Sequence, residues 1–298
     1  MFLLLFSPVW IPIVIVIIIK TLQYQRDKEE YENSAYFQST QLPYSVAREK
    51  GPHGEYLAYK TLERYNNLPD TKFLFNIYLP TGGGHTTEID IVMISSVGIF
   101  VIENKDFSGW IFGNESHKQW CQTLPARRRR SQKNFFYNPI MQNRSHIKHL
   151  KAVIGNDIPV YSVVSFSDRC TFKDVQTTSD DVFVIYQSDL PDVVWRVKMR
   201  NTTNCLSETE IAMLYNQLFP YSQVGESTKE QHKMNIHQMQ YRENMRNFTN
   251  GVDDQGRLKC PKCSGHLVVR TARRGVGAGK SFYGCSRYPE CKYTRNIE

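Results

Sequence analysis

Cysteine is scarce over most of this sequence and does not follow the regular spacing of a secreted, disulfide-bonded protein. The 298 residues include seven cysteines, of which Cys121, Cys170 and Cys205 stand alone. An odd total with isolated members excludes a disulfide framework as the basis of the fold. Hydrophobic residues make up 41% of the chain and charged residues 22%, which is enough for one sizeable core and a small appended module.

Charge is absent from residues 2–19, FLLLFSPVWIPIVIVIII. A run of about this length crosses the hydrocarbon of a bilayer. The absence of a preceding positive stretch and of a small-x-small cleavage pattern favours a retained anchor over a cleaved signal peptide. Lys20, Arg26 and Lys28 follow the run, and such positive flanks stay in the cytoplasm. We therefore predict a single-pass transmembrane helix at residues 1–20, with the bilayer of the cell membrane as a partner and the main domains cytoplasmic.

The rest of the chain divides by composition. Residues 21–44 are polar and are predicted to form a stalk or linker, and residues 222–256 are predicted to form a second linker. Residues 45–221 alternate helical and strand patterns, and strands such as GIFVI are continuously apolar, which is typical of burial on both faces. This pattern predicts an α/β domain with a mixed sheet covered by helices on both faces. Residues 257–298 form a separate small module.

Four of the seven cysteines are paired within that small module. Cys260 and Cys263 lie in CPKC, and Cys285 and Cys291 lie in CSRYPEC. Two close thiolate pairs about twenty residues apart suit a tetrahedral Zn²⁺ ion held at the end of a small β-ribbon. Because four thiolates leave no open coordination position, we predict that this zinc is structural. Without such a ligand, a segment of about forty residues has too little core to fold.

The module also resembles a known family. The run CPKCSGHLVVR…GKSFYGCSRYPECKYTR is similar to the four-cysteine zinc ribbon repeated at the C-terminus of bacterial type I DNA topoisomerases. The resemblance implies binding of single-stranded DNA, and the module interleaves aromatic and basic side chains of the types that stack on bases and contact phosphates. The candidate DNA-binding residues are Arg273, Arg274, Lys280, Phe282, Tyr283 and Arg287. A protein-interaction module is the alternative interpretation.

The whole chain has a net charge of +8, and basic residues cluster in its middle as well as in the C-terminal module. The segment ARRRRSQK at residues 126–133 contains Arg127 and Arg128, which we include among the candidate DNA-binding residues because nucleic-acid phosphates attract such clusters. A solvated loop and attraction to the anionic inner leaflet of the membrane are the alternatives.

The stretch EIDIVMISSVGIFVIENK at residues 88–105 predicts two strands joined by a tight turn. If the hairpin is symmetric about its Ser-Val centre, Asp90 lies opposite Glu103, with their Cβ atoms about 5 Å apart. Glu103 and Lys105 share a face because side chains alternate along a strand. Two facing carboxylates repel each other unless a cation lies between them, and Mg²⁺ or Mn²⁺ with a neighbouring lysine suits phosphodiester hydrolysis. The alternative is an ordinary Glu-x-Lys pair on a solvated strand face.

A second resemblance rests on this hairpin. GPHGE, the hairpin sequence, a following tryptophan and NPIMQ together resemble the NERD (nuclease-related) domain of the PD-(D/E)xK, restriction-endonuclease-like superfamily over roughly residues 45–161. The resemblance implies a restriction-endonuclease-like fold, and it adds Glu55 and Gln142 to Asp90, Glu103 and Lys105 as the catalytic set. Two features depart from the family pattern, namely the asparagine between Glu103 and Lys105 and the unusually basic insertion at residues 126–133.

These observations together predict a membrane-anchored, Mg²⁺- or Mn²⁺-dependent nuclease that acts on DNA, with a DNA-binding zinc ribbon at its C-terminus. The rival hypothesis is a non-catalytic tether that uses a nuclease-like scaffold to hold DNA at the membrane. The facing carboxylates favour the enzyme, because a domain that only binds has no need of two acids that repel each other.

Overall fold

The computed structural model describes residues 10–65, 68, 70–125, 131–201, 205–250, 257–263, 265–274 and 278–296, with the backbone alone for residues 65, 240–250 and 296. The chain divides into two units, residues 1–225 and residues 226–298. The basic candidates Arg127 and Arg128 lie outside the described residues.

Four helices open the first unit: α1 (Trp10–Glu32), α2 (Ala35–Thr40), α3 (Tyr44–Ala47) and α4 (Pro52–Tyr65). Within the described part of the chain, no helix has the length and apolar character needed to span a bilayer. Residues 1–9 of the predicted anchor lie outside the described residues, so the transmembrane helix stays a prediction.

The segment at residues 21–44 differs from the polar stalk expected for it. Tyr31 and Tyr36 are both 0% exposed and belong to the core of the first unit. The Ser39 hydroxyl donates to the Phe75 carbonyl at 3.1 Å and accepts from the Phe75 amide at 2.9 Å. Polar residues dominate the composition of this segment, but its few aromatic side chains are large enough to fix α2 against the sheet.

The first unit is built around a five-stranded sheet in the order β1-β2-β3-β7-β9. Its strands are β1 (Lys72–Gly82), β2 (His85–Ser95), β3 (Gly98–Lys105), β7 (Val160–Phe166) and β9 (Val182–Tyr186). β1, β2 and β3 are antiparallel, whereas β7 pairs in parallel with both β3 and β9. The predicted mixed sheet is therefore confirmed.

Helices cover both faces of this sheet, as predicted. They are α5 (Pro139–Ile154), α6 (Leu190–Arg200) and α7 (Glu208–Leu218), in addition to α4. Leu62 of α4 and Val193 of α6 belong to one buried apolar cluster, and Leu150 of α5 and Ile211 of α7 belong to another. Strand β3 contributes to both clusters through alternate residues, which explains why its sequence is continuously apolar.

A second sheet of the first unit was not expected from the sequence. It has the order β6-β5-β4-β8 and consists of β4 (Gly109–Asn114), β5 (Gln119–Leu124), β6 (Gln132–Tyr137) and β8 (Cys170–Gln176). Trp120 is 1% exposed and lies in the core of this sheet, with its ring stacked on Phe166 at 6.1 Å between centroids. Strands of six or seven residues that mix polar and apolar side chains carry a weak periodic signal.

Glu115 holds this second sheet to the loop that follows β8. Its buried carboxylate accepts hydrogen bonds from the amides of Thr178 and Ser179, at 2.6 and 3.0 Å, and from Arg144 at 2.6 Å. The Ser179 hydroxyl donates to the same carboxylate. Hydrogen bonds from Ser179, Thr178 and Arg144 outweigh burial and hold the pKa of Glu115 well below its usual range.

We expect Glu115→Gln to lower the free energy of unfolding of the first unit by about 2 kcal/mol at pH 7, since it removes a buried, charge-assisted network. Because the folded-state pKa is depressed, this stabilisation is present above the unfolded pKa of about 4.3 and is lost as the pH falls below it. Urea unfolding of the full chain, followed by tryptophan fluorescence, should therefore show a difference in unfolding free energy between wild type and variant that narrows from pH 7 to pH 3. Asp157→Asn, at an exposed position, is the control, and an equal gap at both pH values would contradict the assignment.

The second unit contains α8 (Glu226–Asn250) and a three-stranded antiparallel sheet. Its strands are β10 (Leu267–Thr271), β11 (Ser281–Cys285) and β12 (Thr294–Asn296). The predicted small β-ribbon is therefore present, and the four paired cysteines form its apolar centre together with Leu267.

Candidate active site and metal centre

The β2–β3 hairpin has the register that its sequence predicts. Its pairs run from Ser95 opposite Gly98 to Ile91 opposite Ile102. One step further, this register places Asp90 opposite Glu103. The Asn104 amide of β3 donates to Asp90 Oδ2 at 2.8 Å, which fixes one oxygen of the Asp90 carboxylate.

Glu103 is 2% exposed, and both of its carboxylate oxygens have partners. Oε1 accepts from the Lys105 ammonium at 2.5 Å, and Oε2 lies 3.1 Å from His146 Nε2. Nδ1 of the same imidazole lies 2.7 Å from the Thr87 hydroxyl. Burial alone would raise the pKa of Glu103, but Lys105 and His146 outweigh burial and hold that pKa below its usual value.

Asp90 has the opposite electrostatic balance. Burial raises the pKa of Asp90 well above its usual value, and the neighbouring carboxylates of Glu103 and Glu55 raise it further. Lys105 and the Asn104 amide offset only part of this effect. This end of the hairpin therefore holds more carboxyl groups than its one lysine can neutralise, and Asp90 favours its protonated form when no cation is bound.

Glu55 reaches the same neighbourhood from the first turn of α4. Its Oε2 accepts a hydrogen bond from the Tyr36 hydroxyl at 2.9 Å, and the Asn76 side chain provides a second hydrogen bond. Burial raises the pKa of Glu55 to about 7, and the nearby carboxylates of Glu88 and Glu103 add to this effect against the two hydrogen bonds.

Lys105 connects the acidic residues to α5. Its ammonium donates to Gln142 Oε1 at 3.2 Å as well as to Glu103. Burial would lower the pKa of Lys105, but Glu103 and Asp90 outweigh burial and keep the lysine protonated. The structure thus brings together all five residues that the sequence analysis named for this site, although the catalytic roles given to them stay predictions.

Three further side chains contact this set and were missed by the sequence analysis. They are Tyr36 and Asn76, which bind Glu55, and His146, which binds Glu103. A signal existed for His146, because it lies one helical turn after Gln142 in α5 and so projects from the same face. Tyr36 carried no signal, since it lies in a segment whose composition is polar.

Asn76 occupies an unusual place in β1. Its φ angle is +50°, in the left-handed region that residues other than glycine seldom adopt. The β1–β2 ladder pairs Phe75 with Ile91 and resumes with Ile77 opposite Ile89, so Asn76 lies at the level of Asp90. Phe75 and Ile77 belong to the apolar clusters on opposite sides of the sheet, although residues two apart in a regular strand share a face. The left-handed backbone at Asn76 therefore interrupts the regular alternation of β1 beside the acidic residues, so that Phe75 and Ile77 point to opposite sides of the sheet.

The acidic donor set suits a hard divalent cation. Three buried or half-buried carboxylates, Glu55, Asp90 and Glu103, face a single ammonium group, and carboxylate oxygens are the ligands that Mg²⁺ and Mn²⁺ prefer. Over the described ranges, however, the four ribbon cysteines form the one group of three or more metal-ligating side chains whose ligand atoms all lie within 4.8 Å of one another. The carboxylates are thus neighbours without being a closed ligand cage.

The ribbon cysteines fit a tetrahedral metal closely. Cys260 Sγ lies 3.7 Å from Cys291 Sγ, and Cys263 Sγ lies 3.4 Å from Cys285 Sγ. Zinc–sulfur bonds of about 2.3 Å in a tetrahedron place sulfur atoms about 3.8 Å apart. The Cys260 amide donates to the Gly265 carbonyl at 2.7 Å and so closes the first cysteine turn. These four residues can hold a structural zinc ion.

The same ribbon carries an open groove of about 770 Å³. Of the predicted DNA-binding residues, Arg273 and Phe282 line it, whereas Tyr283 packs against the cysteines. Arg274, Lys280 and Arg287 are not among the lining residues. The groove also contains Arg270, Tyr288 and Lys292, and the Arg270 guanidinium lies 5.5 Å from the centre of the Tyr288 ring.

Comparisons with known proteins agree with both units. The profile of the NERD family, the nuclease-related domain, matches residues 50–167. A second profile, the topoisomerase DNA-binding C4 zinc finger, matches residues 257–298. The chain therefore carries a nuclease-related domain followed by a topoisomerase-type zinc ribbon.

Individual relatives divide in the same way. An uncharacterised protein of Bacillus anthracis is 29% identical over 193 residues, which cover 64% of this chain and 86% of the relative. DNA topoisomerase 1 of Archaeoglobus fulgidus is 56% identical over 36 residues, and that of Methanocaldococcus jannaschii is 50% identical over 46 residues. These segments span only 5% of either topoisomerase, so the likeness concerns the ribbon alone. No solved structure matches the chain.

Proposed function

We propose that this chain is a membrane-anchored, metal-dependent nuclease that hydrolyses phosphodiester bonds in DNA and uses its zinc ribbon to bind that DNA. The observation that carries the proposal is the end of the β2–β3 hairpin, where the buried Glu103 faces the half-buried Asp90 beside Lys105. Burying repelling carboxylates costs stability, and a cation bound between them offsets that cost. The match to the nuclease-related domain supports the same class of reaction.

In this proposal, Asp90 and Glu103 would hold Mg²⁺ or Mn²⁺. The bound ion would supply Lewis-acid stabilisation of the phosphate oxygens and a nucleophilic water. Lys105 stabilises negative charge that develops on the phosphate, since its ammonium is half-buried and Glu103 and Asp90 keep it protonated. Gln142 orients Lys105 through the 3.2 Å hydrogen bond, and Glu55, held by Tyr36 and Asn76, assists in orienting the water.

In this proposal, the ribbon brings DNA to the nuclease and the N-terminus holds the chain at the membrane. Aromatic and basic side chains line the ribbon groove, a combination suited to stacking bases and contacting phosphates of single-stranded DNA. The uncharged run at residues 2–19 would anchor the chain in the cell membrane, with both units in the cytoplasm because the basic flank follows the run.

The test uses the full chain in detergent micelles, incubated with supercoiled or single-stranded DNA in the presence of Mg²⁺, Mn²⁺ or EDTA. We expect cleavage with either metal and none with EDTA. DNA binding without cleavage under every metal condition would reject the nuclease and favour the non-catalytic tether.

A further prediction concerns the hydrogen bond from the Tyr36 hydroxyl to Glu55. We expect Tyr36→Phe to lower kcat for DNA cleavage about three- to tenfold, the range for loss of one hydrogen bond, with KM for DNA unchanged because the hydroxyl binds Glu55 and not the substrate. Tyr56→Phe is the matched control, since its ring lies 5.7 Å from that of Tyr36 in the same aromatic cluster. An equal loss of kcat in both variants would assign Tyr36 to packing alone.

A further inference from the structure

The N-terminal helices enclose an open groove of about 510 Å³ between α1, α3 and α4. From α1 it is lined by Lys20, Gln23, Tyr24 and Asp27. These residues follow the i, i+3, i+4, i+7 spacing, so they occupy one face of the helix. The face of α1 that is turned toward the rest of the domain is thus polar and aromatic at this level, where a packed helix would present apolar residues.

The opposite wall of the groove carries a fixed cation. Arg48 follows α3, and its guanidinium lies 5.8 Å from the ring centres of both Tyr24 and Tyr44. The two rings are 5.3 Å apart and hold the guanidinium between α1 and α3. Arginine that is held in place by aromatic rings presents its fork of donors to a phosphate with little loss of conformational freedom.

The groove begins where the apolar part of α1 ends. The large apolar side chains from Trp10 to Ile19 are 44–57% exposed around the whole helix, and Lys20 comes next. At a rise of 1.5 Å per residue, Lys20 to Tyr24 lie within about 8 Å of that apolar end. The headgroup layer of a bilayer is about 5–8 Å thick on each side. The groove would therefore lie at headgroup level when residues 2–19 are in a membrane.

We propose that this groove is a binding site for the headgroup of an anionic phospholipid such as phosphatidylglycerol. Arg48 and Lys20 bind the phosphodiester, and Asp27 accepts hydrogen bonds from the headgroup hydroxyls. Tyr24 and Tyr44 lie at the depth where aromatic side chains favour the interface. A DNA phosphate is disfavoured as the occupant, because the exposed apolar residues of the same helix border the groove.

The inference rests on the proposed membrane anchoring, so the first measurement tests that alone. The full chain is reconstituted with vesicles of phosphatidylcholine, which carry no net charge, and floated on a density gradient. We expect it to float with the vesicles. Failure to float would overturn both the anchoring and this site, whatever the outcome of the nuclease assay.

The second measurement tests the site in the full chain that floats. Native mass spectrometry of the detergent-solubilised chain, given equal amounts of phosphatidylglycerol and phosphatidylcholine, should show one tightly retained phosphatidylglycerol. We expect Arg48→Gln and Lys20→Gln each to weaken its retention roughly tenfold, the effect of losing one charge-assisted hydrogen bond. Arg26→Gln is the matched control, because Arg26 lies on the same helix but does not line the groove, and it should retain the lipid.

Three results would overturn the site. One is equal retention of the two lipids, and another is an equal loss in Arg26→Gln, which would indicate a diffuse attraction to negative charge. The third is displacement of the lipid by inorganic phosphate or by a short DNA duplex at the concentration of the lipid, which would assign the groove to a soluble phosphate or to nucleic acid.

Discussion

We expect Lys105→Ala and Asp90→Ala each to lower the proposed metal-dependent DNA cleavage by about 10²–10³-fold, the usual effect of removing one group that stabilises transition-state charge. The two variants should fail for different reasons. Lys105→Ala removes the half-buried ammonium that faces Glu103 and Gln142 and should leave the binding of Mn²⁺ intact or tighter, since a competing cation is gone. Asp90→Ala removes a carboxylate and should weaken that binding.

Cleavage rates on supercoiled DNA, together with calorimetric titration of Mn²⁺, separate these two effects. Lys151→Ala, on the same helix as Gln142 but outside the site, controls for a change in overall charge. Unfolding must be compared as well, because removing Lys105 leaves buried carboxylates with less compensation. Full cleavage by either variant would remove these residues from the reaction, and weak Mn²⁺ binding by both would reassign Lys105 to holding the site together.

The hairpin was predictable because its information is local. The alternation of a strand and a two-residue turn are enough to place Asp90 opposite Glu103, and the structure has that register. The same holds for the cysteine ribbon, where spacing along the chain decides which sulfur atoms can converge. In both cases the spacing of residues within a short segment is enough to predict which side chains lie together.

The hydrogen bonds that Tyr36 and Asn76 make to Glu55 were not predictable, because they depend on contacts between distant segments. Tyr36 reaches Glu55 from α2, which the hydrogen bonds between Ser39 and Phe75 hold against β1. Asn76 reaches it only through a left-handed backbone angle that an apolar strand pattern does not suggest. Such strain concentrates at functional sites, so the departure of Asn76 from the strand pattern is itself consistent with the proposed role of this region.

The second large effect concerns the zinc ribbon. We expect Cys285→Ser, or removal of zinc by a strong chelator, to unfold the ribbon and to abolish the proposed binding of single-stranded DNA. The core of the described ribbon residues consists of the four cysteines and Leu267, with Leu258, Tyr283 and Tyr293 partly buried against them. Structural zinc contributes about 10–16 kcal/mol to such peptides, far more than so small a core supplies. Loss of the metal should therefore remove the fold and the groove together.

Hydrogen exchange of the full chain reports the loss of folded structure in each unit separately. Amides of β10 and β11 should lose protection in Cys285→Ser, whereas those of β2 and β3 should keep it, because the two units have separate cores. Cys205→Ser, at an exposed and isolated cysteine, should change neither. If Cys285→Ser retained a protected ribbon and its DNA binding, the four thiolates would not be the source of its stability. If the protection of β2 and β3 fell as well, the ribbon would support the nuclease-related domain in addition to binding DNA.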